Sequence, residues 1–110
     1  MMEWRYVFDD EDNTIDNFLI LWKANIEILI ANREKIIIVM DTTRANLFSI
    51  QKIMKIISFI SSNKRKLSET TEKVQIIAAT DKQVRSIKSA MGLSPVRICE
   101  FEIIKNIVDV

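Results

Sequence analysis

Histidine is absent from this 110-residue chain, and glycine, proline and cysteine occur once each. Without His there is no Ser-His-Asp triad, no Cys-His pair and no His-ligated zinc. A single Cys excludes an internal disulfide and a Cys-rich metal site. A single Gly excludes the phosphate-cradling loop and the dinucleotide turn, which need several glycines for close backbone approach. Neither sign of charge dominates: 16 Lys+Arg against 15 Asp+Glu leave +1. Nothing global pulls the chain toward nucleic acid or anionic lipid. Long apolar runs are missing too, none exceeding the five residues of Ile36 to Met40, so no membrane span is expected. The opening MMEWRYVFDDED lacks the basic start, apolar core and cleavage site of a secretory signal, so a cytoplasmic protein is expected. These absences argue against catalysis, a bound metal or a cofactor, and toward an interaction module.

What is present reads as one folded domain over residues 1–110. Hydrophobic residues make up 48% and charged residues 28%, too apolar for a disordered chain. Met2, Trp4, Tyr6 and Phe8 alternate with Glu3, Arg5 and Val7, the period of a strand with its aromatics in the core. Asp9 to Asn13 form an acidic turn without the geometry of a calcium loop. Thr14 is the expected N-cap of a helix from Ile15 to about Asn32. Its main stripe contains Phe18, Trp22, Ile26 and Leu29. A second stripe, Ile20, Ala24, Ile28 and Ala31, lies nearly opposite and is expected to be covered by another element; a partner or dimer face is the alternative.

Lys35 to Asp41 form a β-branched run expected as a central strand buried on both faces. After a loop over Thr42 to Asn46, a helix is expected from Leu47 to Asn63, with Ile50, Ile53, Met54, Ile57 and Ile60 on its stripe. Lys64 to Lys73 read as a flexible polar loop, with Lys64, Arg65 and Lys66 a solvated helix end rather than a phosphate contact. Val74 to Ala79 are the next strand. Thr80 or Asp81 caps a short helix through Met91, and Gly92 is expected in the left-handed position after it, before a Ser94-Pro95 turn. Val96 to Phe101 are expected as a last strand and Glu102 to Asp109 as a final helical turn or two. Strands alternating with amphipathic helices specify an α/β domain with a mostly parallel sheet of about four strands.

KIIIVMDTTRANLFSIQKIM, residues 35 to 54, resembles the central signature of STAS domains, the anti-sigma factor antagonist family. Asp41 matches the family's strand-end Asp, and Phe48 its apolar residue before the helix. VQIIAA, the helix VRSIKSAMGL and the segments after it resemble the family's C-terminal half. The family's acidic helix-start residue falls on Ser49 and its phosphorylatable residue on Ile50; a one-residue shift brings Ser49 into the phosphosite position. The family's Gly at this point is absent, and a SpoIIAA-like branch shares the fold without the phosphorylation signature. The resemblance implies a non-enzymatic regulatory module with a protein partner, such as a kinase or an anti-sigma-like regulator, or self-association. Its alternative is a SpoIIAA-like carrier of a small ligand or lipid.

The candidate docking residues are Asp41, Thr42, Thr43, Asn46 and Ser49, beyond the C-terminal end of a strand, where open α/β sheets place ligands. A phosphate on Ser49 would meet a helix dipole and add about two negative charges to the surface. Turn chemistry and helix capping are the simpler roles for these residues. Asp41 is expected to bond its own loop, and Cys99 to be a packed, unreactive thiol.

Overall fold

In a computed structural model, residues 2–46, 49–93 and 97–105 are described. They form β1 (Met2–Val7), α1 (Thr14–Asn32), β2 (Ile36–Asp41), α2 (Ile50–Ser62), α3 (Lys64–Thr70), β3 (Thr71–Ala78), α4 (Asp81–Leu93) and β4 (Glu100–Lys105). The strands lie in chain order, β1-β2-β3-β4, and every pairing is parallel. The α/β domain with a parallel sheet is therefore as expected.

Strand order dictates the layering. Successive right-handed crossovers that always step the same way put their helices on one face of a sheet. Trp22 of α1, Ile57 of α2 and Ile87 of α4 line one cleft with Met40, Val74 and Phe101 of the sheet. Leu67 of α3 joins the same core and is fully buried. Register then assigns the other face: Glu3, Ile37, Lys73 and Glu100 form one row, and Arg5, Val39, Gln75 and Glu102 the next. Lys73 pairs there with Glu102. The expectation that β2 is buried on both faces is thus corrected. Val39 is closed off, but Ile37 and Asp41 stay half-buried, because no helix of the described residues covers that side.

The core centres on the β1–α1 contact. Phe18 stacks on Trp4 at 5.2 Å and lies 4.9 to 5.2 Å from Tyr6, Phe8 and Trp22. Alternation in β1 presents three aromatics to one face, and α1 meets them with residues four apart. The second stripe of α1 differs from expectation. Ile20 is 65% exposed and Ile28 59%, and Ala24 and Ala31 are exposed too. With all helices in one layer, nothing in the described residues lies over that side.

Other boundaries shift for local reasons. Asn13, not Thr14, occupies the N-cap of α1, without a side-chain bond; Thr14 Oγ1 accepts from the Asp9 N–H instead. Lys64 to Thr70 form a helix rather than a flexible loop. It is anchored by buried Leu67, a Thr70 hydroxyl bond to the Lys66 carbonyl and a Lys66–Glu27 ion pair. Glu102 to Lys105 continue β4 rather than starting a helix, since Phe101 to Ile104 pair in register with Val74 to Ile77. Residues 106–109 of that expected helix, and the Ser94-Pro95 turn, lie outside the described residues. Gly92 is inside α4 and has no positive φ.

Among the described residues the one left-handed position belongs to Arg33, φ 54°, which ends α1 while the Glu34 N–H reaches back to the Leu29 carbonyl. A side chain there is strained, and glycine is not. Replacing Arg33 by Gly should therefore raise stability by about 0.5–1 kcal/mol, read from urea unfolding; a loss of similar size would refute the strain.

Candidate functional site

Three loops meet at the C-terminal edge of the sheet, and specific bonds hold them together. β2 ends in Asp41, whose Oδ1 accepts from the Thr43 N–H at 3.0 Å and the Thr43 hydroxyl at 2.6 Å. This is a local turn of the expected kind. Thr42 is buried; its N–H and its hydroxyl both donate to the Ile77 carbonyl, at 2.9 and 2.8 Å. Asn46 donates from its backbone N–H and its side-chain amide to the two oxygens of Asp10, at 2.7 and 3.0 Å. One residue of the acidic turn thus ties the first loop to the second, a solvated-looking cluster put to structural use.

Gln83 is the residue that sequence reading missed. Its Nε2 donates to the Thr42 and Ala45 carbonyls at 3.1 and 2.8 Å, and its Oε1 accepts from the Ala79 N–H at 2.6 Å. A signal for it exists. Thr80-Asp81-Lys82-Gln83 has the spacing of a capping box, and the Thr80 hydroxyl does accept from the Gln83 N–H. What the pattern does not announce is that the amide reaches across to the β2–α2 loop.

Ser49 is the N-cap of α2: its hydroxyl accepts from the Lys52 N–H at 3.3 Å. Phe48, the family-like position before it, lies outside the described residues. The five expected residues therefore fall on one edge. Thr42 is committed to the sheet, Asp41 and Thr43 to each other, Asn46 to Asp10, and only Ser49 offers an exposed hydroxyl. Ile50 (65% exposed) and Met54 (44% exposed) follow it one turn apart. Met54 borders a shallow groove between α2 and α1, beside the Lys55–Asp16 ion pair.

Behind this loop, between α2 and α4, opens an apolar cleft of about 130 Å³. Trp22 forms part of its wall; the buried indole N–H has no hydrogen-bond partner among the described residues. Arg97, after α4, stands exposed at the cleft and makes no ion pair among the described residues. No group of three or more metal-ligating side chains occurs among the described residues. No helix among them is long and apolar enough to cross a membrane.

No family model, curated protein or solved structure matches the chain. The site is therefore read from its own chemistry.

Cys99 lies just before β4, half-buried. Desolvation raises its thiol to about 11, and the nearby carboxylates Glu100 and Glu72 push the same way. A thiol held above its ordinary pKa of 9.0 stays protonated as pH rises through 8. Its alkylation at pH 8 should run about a hundredfold slower than for the unfolded chain, the two-unit loss of thiolate; equal rates would contradict this environment. Gln83→Leu leaves one N–H and two carbonyls without their partner. It should cost about 2–3 kcal/mol and speed amide exchange at Ala45 and Asn46. Unchanged exchange there would show that the loop is held by other contacts.

Proposed function

We propose that the chain is a non-enzymatic regulatory module, similar in role to anti-sigma factor antagonists, that acts in the cytoplasm by docking onto a protein partner. The docking surface is the loop after β2 together with the first two turns of α2. The observation that carries this is the exposure of Ile50 and Met54 beside a loop whose Asp41, Thr42, Thr43 and Asn46 side chains are already bonded within the protein. A loop cross-tied in this way keeps its shape, so little ordering entropy is lost on binding. Apolar side chains next to a rigid polar edge are what a protein interface needs at its centre and rim. An anti-sigma-like regulator or a kinase is the partner class, with self-association as the other outcome of the same surface.

Ser49 supplies a means of control. An N-cap hydroxyl lies where the helix dipole stabilises added negative charge, and a phosphate there changes the sign of the field over Ile50. Ser49→Asp keeps a good cap and so should change stability by less than about 0.5 kcal/mol.

The test uses a photo-crosslinking residue at Ile50 in cells. A discrete adduct with a second polypeptide is expected, with none from the same residue at Gln75 on the open sheet face. Ile50→Asp combined with Met54→Asp, carrying no crosslinker, should weaken capture of that identified partner by the purified protein at least about tenfold with unchanged thermal unfolding. Ser49→Asp should shift affinity for the captured partner. Undiminished capture by the double variant would overturn the surface, and equal binding by Ser49→Asp would overturn the switch.

A further inference from the structure

The apolar cleft is a different surface from the outer face of α2: it shares Thr42 and Asn46 with the docking loop, but its walls belong to the core. Ile57, Ile60, Val74, Ile76 and Phe101 contribute to walls that are almost wholly hydrocarbon. Its volume, about 130 Å³, approaches that of an apolar protein cavity able to hold benzene, roughly 150 Å³. Such space in a core that otherwise packs closely forfeits dispersion contacts that a ligand would restore.

The polar side chains beside the loop and after α4 differ in what they have left to offer. Thr42, Asn46 and Gln83 are already bonded within the protein, so they have little left for a ligand. Arg97 is different, being exposed and unpaired with any carboxylate of the described residues. A guanidinium beside a hydrocarbon pocket selects an anion with an apolar body, and its fork matches a carboxylate in two hydrogen bonds.

We infer that the cleft between α2 and α4 binds a small monocarboxylate whose apolar body places about six carbons against Ile57, Val74 and Phe101 and whose carboxylate meets Arg97. The size of the body follows from the volume, and the head group from Arg97, the one charged residue among the described residues that line the cleft. Ser86, Ile87 and Ala90 of α4, half-buried, form the facing wall. Free fatty acid of medium chain length and a small aromatic acid share this chemistry.

Methyl-resolved NMR of the whole protein separates the outcomes, with octanoate, phenylacetate and the neutral 1-octanol as probes. Octanoate or phenylacetate should shift the methyl signals of Ile57, Val74 and Met91, and the better binder identifies the source of the body. 1-Octanol should bind more weakly than octanoate. Arg97→Gln should lower octanoate affinity about three- to tenfold and leave 1-octanol unchanged, the effect of one partly exposed charged pair. Ala90→Phe, at a half-buried position, should abolish binding of all three while the circular dichroism spectrum is retained. The inference is overturned if no probe moves these signals, if octanoate and octanol bind equally, or if Ala90→Phe binds as before. It is also overturned if the same signals move with protein concentration alone, since a second copy then covers the cleft.

Discussion

The sequential order of four parallel strands governs everything else in this domain. Each right-handed crossover steps in the same direction, so every helix lands on one side of the sheet. The apolar face of β1 must then be covered by α1. The match of Trp4, Tyr6 and Phe8 to Phe18 and Trp22 makes that contact the centre of the core. The same layout leaves the far face of the sheet, and the outer stripe of α1, without a helix among the described residues. Ile20 and Ile28 are exposed for that reason and not through any weakness of the helix itself.

Parallel strands also gather their C-terminal ends on one edge, and the chain uses that edge fully. Asp10, Thr42, Asn46 and Gln83 come from two loops and the first turn of α4, and their hydrogen bonds tie these segments to one another and to β3. A network with its members paired is rigid, and removing one member strands the others. Rigidity there has two consequences in space. Outward, the loop presents Ser49, Ile50 and Met54 on a fixed base. Inward, the gap between α2 and α4 is left as a largely hydrocarbon cleft, with Thr42, Asn46 and Gln83, already bonded within the protein, among its lining.

Much of this was legible in the residues. Period-two aromatics gave β1, the Ile36–Met40 run gave β2, and the Phe18/Trp22/Ile26 spacing gave α1, because burial on one face imposes a period that survives any tertiary arrangement. The strand-end position of Asp41 to Asn46 and the cap at Ser49 were legible on the same grounds. Three features were not. Leu67 turns a polar stretch into α3, since one apolar residue carries no period. Gly92, expected in the left-handed position after the fourth helix, lies inside α4, and the one left-handed position among the described residues is Arg33 at the end of α1, where residue type gives no signal. Phe101 to Ile104 pair as strand, since an apolar run this short fits a helix equally well until a neighbouring strand offers its hydrogen bonds.

Composition alone removed histidine chemistry, disulfides and glycine-rich phosphate loops from consideration, since side chains that are absent supply no ligand, nucleophile or close backbone approach. Local pattern alone established which segments are helix or strand and which face of each is apolar. Which of those faces would be covered was decided only by the strand order, a relation between segments far apart in the chain. Gln83 reaching Thr42 and Ala45, Asp10 reaching Asn46, and the cleft beside Arg97 all span tens of residues, and spacing along a sequence has no term for that distance.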